Sequence, residues 1–218
     1  MVITRSPLRV SFIGGGTDFE DFYKQHEGGV ISTAINKYVY VITKKRFTSG
    51  IKLSYSINER VDKTSQINHK LIKKIFQKYK IKSDIELISV ADIHAQGTGL
   101  GSSSAFSLAT INSLRSYLNL KPHSKASLSI EAYELEKSIN DSAMGLQDQY
   151  ASSFGNFNYI SFFKKKVSVK KVNLKKDEEK FLEKNFFLVY SEASRSASKI
   201  LKSHNNIINK KDKTKYLI

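Results

Sequence analysis

One stretch decides the fold: Gly97-Thr98-Gly99-Leu100-Gly101-Ser102-Ser103-Ser104-Ala105, in which three alternate glycines run into three serines. Glycine permits positive φ and lets the backbone approach a ligand closely, and a loop of this kind turns successive N–H groups towards one anion. Apolar residues then recur at helical spacing and predict a helix over residues 102–120. The loop therefore ends at a helix N-terminus, where free N–H groups and the helix dipole favour phosphate.

A simpler interpretation of this stretch is a glycine-rich turn that only caps a helix. A single Gly-x-Gly would favour that interpretation, but three glycines followed by three serines favour the phosphate site. The serine hydroxyls can cap the helix, bind phosphate or ligate Mg²⁺. The common P-loop is excluded because it requires Gly-Lys-Ser/Thr and this loop contains no lysine. An alternating pattern over residues 85–90 predicts a strand that leads into the loop, which is the context a phosphate site needs.

The N-terminal segment contains a second glycine-rich turn. Residues 2–13 are predicted to be extended, with Pro7 permitting only edge or bent pairing, and they run into Gly14-Gly15-Gly16-Thr17-Asp18. Two interpretations of this turn stay open: a substrate loop, or a tight turn that Asp18 closes through an Asx-type bond. A carboxylate accepts hydrogen bonds from two vicinal hydroxyls, which suits it to a sugar.

Two acids stand out in the second half of the chain. Apolar periodicity predicts a helix over residues 126–139, and Glu136 lies at the edge of its buried face, either as a surface charge or as a Mg²⁺ ligand. Asp148 follows twelve residues later. Further along, the patterns predict a hairpin, a charge-rich linker, a strongly apolar strand and the start of a helix, at residues 159–174, 170–184, 186–190 and 194–197 respectively.

Composition limits the function classes. The chain has 218 residues, 40% of them hydrophobic, which suffices for a domain with a good core and excludes a disordered chain. The lack of cysteine excludes disulfides and thiolate metal sites and fits a cytoplasmic protein. No apolar run is long enough to span a membrane. The formal charge of +16 suggests phosphate-bearing partners and keeps a nucleic-acid-binding protein as an alternative, although no nucleic-acid motif supports it.

Three segments, in order, resemble the motifs of the GHMP kinase superfamily. They are the turn at residues 14–18, the loop at residues 97–105, and a helix glutamate followed by Gly145-Leu146-Gln147-Asp148-Gln149. The resemblance implies an α/β (α+β) fold of the ribosomal protein S5 domain 2-like type. It implies a GHMP kinase N-terminal ATP-binding domain over residues 1–175, followed by a linker and the start of a truncated second domain over residues 176–218. The Gly-Gly-Gly-Thr-Asp turn is similar to the heptose-phosphate kinase branch and departs from galactokinases.

The same resemblance implies roles for the motif residues. Asp148 is implied to be the catalytic base, with Arg9 beside the reacting hydroxyl, and Ser103 and Glu136 are implied to hold Mg²⁺. The loop residues implied to bind the ATP phosphates are Gly97, Thr98, Gly99, Leu100, Gly101, Ser102, Ser103 and Ser104. The residues implied to bind the sugar are Gly15, Gly16, Thr17, Asp18 and Arg195.

The expected reaction is phosphorylation of a sugar by ATP and Mg²⁺, with a heptose 7-phosphate and its anomeric hydroxyl as the best substrate prediction. Expected partners are ATP and a small sugar or sugar phosphate, without nucleic acid or membrane. No glycine follows Gly155, so the family's third glycine-rich motif is missing. We therefore expect this chain alone to have little kinase activity, to associate through residues 186–190, and to regain activity with a separate chain that supplies the rest of the second domain. An inactive kinase fragment that retains only nucleotide affinity is the alternative.

Overall fold

The chain folds around one mixed sheet whose buried side chains meet a layer of helices. The computed structural model describes residues 1–93, 98–140, 144–164 and 166–189. The elements in these residues are, in chain order, β1 (Val2–Ile13), α1 (Glu20–Tyr23), β2 (Gly28–Lys45), β3 (Ile51–Ser54), β4 (Asn58–Val61), a 3-10 helix (Thr64–Gln66), α2 (Lys70–Lys78), β5 (Ile85–Ala91), α3 (Ser102–Tyr117), α4 (Lys125–Lys137), α5 (Gln147–Phe154), β6 (Phe157–Phe163), β7 (Lys166–Lys171) and α6 (Lys176–Asn185).

The sheet is organised around the long strand β2. The described strands follow the order β4-β3-β5-β2-β6-β7, and β1 pairs with β2 outside this path. β3 and β5 are parallel, whereas the other pairs are antiparallel. The β1 register shifts between Pro7 and Arg9, because proline has no N–H to donate to the ladder and prefers edges or irregular positions. β2 therefore holds β1, which carries Arg9, in the same sheet as β5, which leads into the glycine-rich loop.

Two apolar clusters hold the helices on the sheet. The larger cluster joins α2, α3 and α4 to β2, β3 and β5 through fully buried side chains such as Phe76, Leu87 and Ile111. The second cluster joins α5 to β2 and β6 and includes Tyr150 and Phe162. Because α3 and α5 are each packed on the sheet, their N-terminal ends have defined positions relative to β1.

Most of the predicted elements are confirmed. The predicted strands at residues 2–13 and 85–90 correspond to β1 and β5, and the predicted helices at 102–120 and 126–139 correspond to α3 and α4. The predicted hairpin corresponds to β6 and β7. The elements β4 and α5 were not predicted, because four and eight residues are too few for a periodic pattern to be distinctive.

Two predictions about the C-terminal part are wrong. The segment predicted as a charged linker contains α6, whose first turn carries three acids and whose last turn carries Lys184, an arrangement that the helix dipole favours. Residues 186–189, predicted to begin a strand, have no regular secondary structure and pair with no strand in the described ranges. Phe187 and Val189 are each 82% exposed. The helix predicted from residue 194 lies outside the described residues, and the domain boundary at 175/176 stays a prediction. Within residues 1–93, 98–140, 144–164 and 166–189, no helix is long and apolar enough to cross a membrane.

Candidate active site

The glycine-rich loop leads directly into α3. Gly99 and Gly101 have φ angles of +71° and +70°, which residues with a Cβ rarely adopt. Gly101 is the N-cap of α3, and the Ala105 N–H donates to its carbonyl at 2.9 Å. The N–H groups of a helix's first turn have no acceptor inside the helix, so the end of this loop has the backbone chemistry of an anion site. Gly97 lies outside the described residues.

The loop is fixed to the sheet by Leu100. This side chain is 8% exposed and belongs to an apolar cluster with Leu8, Val39 and Ala105. Its carbonyl also accepts a hydrogen bond from the Arg9 N–H at 3.0 Å. The side chain and the backbone of Leu100 thus hold the loop against β1, so the loop position depends on the same strand that presents Arg9.

Arg9 and Asp148, which are far apart in the sequence, form an ion pair. Nε and Nη2 of Arg9 lie 2.7 and 2.6 Å from Oδ1 of Asp148, and Nη1 donates to the Gly99 carbonyl at 2.6 Å. The two side chains are 11% and 28% exposed. A charge-assisted pair at this depth is stronger than a surface pair because solvent screens it less. Arg9 therefore links the predicted base to the predicted phosphate loop.

A cavity of about 450 Å³ opens beside this ion pair. It is lined by residues 9–15 of β1 and the following turn, by Gly99 and Leu100 of the loop, and by Gln147 at the start of α5. Inside it the Ser11 hydroxyl donates to Oε1 of Gln147 at 2.9 Å. The volume lies in the range of small-molecule sites, and the lining combines an arginine and polar groups with apolar side chains.

Thr17 and Asp18 are buried and bonded within the protein. The Thr17 hydroxyl donates to the Gly14 carbonyl at 2.7 Å and accepts from the Gly29 N–H at 3.0 Å. The Asp18 carboxylate, 1% exposed, accepts from the Gly16 N–H at 3.1 Å and from the Gln147 N–H at 3.0 Å. Burial raises the pKa of Asp18 to about 6; the Gln147 N–H opposes this shift and the charge of Asp148 adds to it. Of the two interpretations of this turn, the bond from Gly16 to Asp18 is the one that belongs to an Asx-type turn.

Glu136 lies under the start of α3 and is 2% exposed. Its Oε2 accepts from the Ser104 hydroxyl at 3.1 Å, and Ser104 in turn accepts from Nε2 of Gln149 at 2.9 Å. Burial raises the pKa of Glu136 to about 7, although Gln149 and Ser104 oppose the shift. The serine beside Glu136 is thus Ser104, whereas Ser103, one helical position away, is exposed. The predicted pairing of Ser103 with Glu136 is not present.

The surroundings of Glu136 fit a Mg²⁺ ion. Its Oε1 is buried and has no hydrogen-bond partner among the described residues. An uncoordinated carboxylate oxygen close to a serine hydroxyl is a hard oxygen donor set. The described residues contain no group of three or more His, Cys, Asp or Glu side chains that could enclose a metal on their own. Mg²⁺ suits such a sparse site, because it is commonly bound by one or two carboxylates together with substrate phosphates and waters.

Sequence reasoning did not identify Ser11 and Gln147 as site residues. Ser11 is one polar position in the alternation of β1, and nothing in that pattern distinguishes it. Gln147 directly precedes Asp148, and this adjacency was the available signal. Gly15 lies in the cavity lining as predicted, whereas Arg195 lies outside the described residues.

Residues 66–156 match the family described as the GHMP kinases N terminal domain. The chain therefore carries a GHMP kinase N-terminal domain, and the resemblance seen in the motifs is confirmed. The match ends one residue before β6, so β1 and the N-terminal glycine-rich turn lie outside it.

Two heptose-phosphate kinases are similar to this chain. A D-glycero-alpha-D-manno-heptose 7-phosphate kinase of Campylobacter jejuni is 29% identical over 213 residues, which are 90% of this chain and 61% of that protein. The crystal structure of a D-glycero-D-manno-heptose 1-phosphate kinase from Bacteriodes thetaiotaomicron superposes with a TM-score of 0.70 and 25% identity, covering 80% of this chain and 61% of that one.

Galactokinases match over a shorter region. The galactokinase of Thermotoga petrophila is 29% identical over 167 residues, which are 72% of this chain and 45% of that enzyme. The chain thus spans about three fifths of the length of the heptose-phosphate kinases that it resembles and a smaller share of the galactokinases.

Proposed function

We propose that this chain is the catalytic-base and nucleotide-binding part of an ATP-dependent sugar kinase, with a heptose 7-phosphate as acceptor at its anomeric hydroxyl. The observation that carries the proposal is the Arg9–Asp148 pair, which lies beside the cavity and is bonded to the glycine-rich loop. A phosphate loop, a carboxylate and an arginine that converge on one cavity are the parts that phosphoryl transfer needs.

In the proposed reaction the sugar hydroxyl oxygen bonds to the γ-phosphorus of ATP as the bond from phosphorus to the β,γ-bridging oxygen breaks. The hydroxyl proton passes to Asp148. Both bonds from the Arg9 side chain to Asp148 end on Oδ1, so we expect Oδ2 to take the proton. The guanidinium holds the carboxylate in place and balances negative charge near the reacting oxygen.

The nucleotide is proposed to bind at residues 97–104, with its phosphates at the N–H groups of the first turn of α3. Glu136, together with Ser103 or Ser104, would hold Mg²⁺, with Ser104 favoured by its position 3.1 Å from the carboxylate. Bound Mg²⁺ supplies neutralisation of the charge on the β- and γ-phosphates.

The acceptor sugar is proposed to lie in the cavity. Gly15 and Gly16 would offer backbone groups there, and Ser11 and Gln147 would offer side-chain groups. Thr17 and Asp18 would support the turn from beneath, and Arg195 would meet the substrate phosphate. The similarity to two heptose-phosphate kinases and the Gly-Gly-Gly-Thr-Asp turn support a heptose phosphate over galactose. A second domain, carried in the same protein or by a separate chain, would close the site.

The proposal is tested by incubating the protein with ATP, Mg²⁺ and a panel of sugars that includes a heptose 7-phosphate and galactose, and by following the phosphosugar by ³¹P NMR. Asp148→Asn should lower kcat by about 10²–10⁴, as expected for a lost general base, and leave ATP affinity measured by calorimetry nearly unchanged. Asp92→Asn, which alters a carboxylate bonded to the Tyr38 N–H in the sheet, is the control. Formation of no phosphosugar together with an absence of ATP binding would refute the kinase proposal.

A further inference from the structure

Asp18 is tied to the helix that carries Asp148. Its Oδ2 accepts from the Gln147 N–H at 3.0 Å, and its backbone carbonyl accepts from the Leu146 N–H at 3.3 Å. Gln147 is the first residue of α5, and the N-cap residue Leu146 offers no side chain that can cap the helix. An N–H group left without a partner in a buried place is costly. Asp18, 129 residues away in the sequence, therefore supplies the cap that the local sequence lacks.

Packing closes Asp18 off from the cavity. Phe19, the next residue, forms an isolated β-bridge with Gly145. A Cβ placed on Gly145 would lie 1.8 Å from Oδ2 of Asp18, so the carboxylate occupies the space that the missing side chain leaves. Asp18 does not belong to the described lining of the cavity. A carboxylate enclosed in this way contacts α5 and has little surface left for a sugar hydroxyl.

We propose that Asp18 is a positioning residue: its buried carboxylate fixes the N-terminus of α5 and thereby holds Asp148 against Arg9. The inference rests on the proposed function, because it takes Asp148 as the base. The Gln147 side chain adds a second tie, since its Nε2 lies 3.4 Å from Oδ1 of Asp18 and its Oε1 accepts from Ser11. Loss of the cap lets the first turn of α5 move, and a misplacement of about 1 Å at a reacting group can cost about 10²-fold in rate.

The test compares ¹⁵N NMR spectra of the chain without substrates. Asp18→Ala leaves the Gln147 N–H without its acceptor, so the exchange of that amide with solvent should become at least about tenfold faster. The Arg9 Nε–H resonance should move towards its position in Asp148→Asn. Glu59→Ala is the matched control, because Glu59 is also a buried carboxylate that accepts a backbone N–H, from Asn68 at 2.8 Å, at the start of another helix. That variant should leave both signals unchanged.

Turnover separates a positioning role from direct sugar binding. As a positioning residue, Asp18 should affect kcat, with the sugar KM changing less than the kcat does. A direct sugar ligand would raise KM while leaving the Arg9 and Gln147 signals of the free protein as in the wild type, and that result would overturn the inference. The NMR comparison needs no turnover, so a wild-type chain that phosphorylates no sugar contradicts the proposed function without deciding the role of Asp18.

The wild-type chain provides a second measurement if Asp18→Ala does not fold. The first N–H of an ordinary helix exchanges freely, because it has no acceptor inside the helix. The Gln147 amide should instead be as protected as the interior amides of α5. Rapid exchange of the wild-type Gln147 amide would show that Asp18 does not cap the helix.

Discussion

Replacing Arg9 by lysine keeps the positive charge but removes the planar group that joins the base to the loop. Arg9 uses Nε and Nη2 on Asp148 and Nη1 on the Gly99 carbonyl, whereas a single ammonium group cannot make the same set of bonds. Loss of one charge-assisted hydrogen bond is worth about 1.5–3 kcal/mol. We therefore expect kcat/KM for the acceptor to fall by roughly 10- to 150-fold.

The assay is a coupled measurement of ADP release at varied acceptor concentration, with the melting temperature of each variant measured alongside. Arg5→Lys is the matched control, because Arg5 lies on the same strand but is exposed and stacks over the Tyr38 ring at 4.5 Å. It should stay within about twofold of the wild type, since surface charges contribute little. An Arg9→Lys enzyme as active as the wild type, or an equal loss in Arg5→Lys, would refute the reasoning.

Three further predictions concern the supports of the site. Gly145→Ala should lower the free energy of unfolding by about 1–3 kcal/mol in urea titrations, because its Cβ would collide with Asp18; Gly15→Ala, whose nearest neighbour would be Nε2 of Gln147 at 3.7 Å, should cost less, and the opposite order would contradict the packing argument. Burial raises the pKa of Asp18 from 3.8 to about 6, so the folded state holds this proton more tightly than the unfolded chain. The stability from this proton is complete below about pH 4 and is lost as the pH rises through about 6. The unfolding free energy of the wild type relative to Asp18→Asn should therefore fall by up to about 3 kcal/mol over that range, and parallel pH profiles would show that Asp18 does not titrate in this way. Leu100→Ala should lower the free energy of unfolding by about 2 kcal/mol or more and weaken ATP binding in calorimetry, since it removes the loop's apolar anchor; the exposed Leu120→Ala should do neither, and equal effects would argue against the anchor.

The local elements around the site followed from sequence because local chemistry specifies them. Alternate glycines permit the positive φ angles of residues 99 and 101, and the helical periodicity that follows them requires α3. Arg9 on β1 and Asp148 after a helix were identified by their motifs, and the fold brings them within hydrogen-bond distance. The failure at residues 186–189 has the same origin, because an apolar run specifies a strand only where a neighbouring strand supplies hydrogen bonds.

Tertiary structure decided what each polar side chain contacts. Ser103 and Ser104 are equivalent in a motif, but adjacent helical positions point about 100° apart, and in this packing the serine that faces Glu136 is Ser104. Asp18 is compatible with a sugar ligand or a turn cap when it is read from the sequence, and it becomes a cap of α5 because Gly145 leaves room for its carboxylate. Residues 18 and 145 lie in distant segments, and only the packing of α5 onto the sheet brings them together. The sequence by itself determined which residues carry the chemistry, whereas the fold determined which of them meet, because long-range contacts depend on the packing of whole elements and not on neighbouring residues.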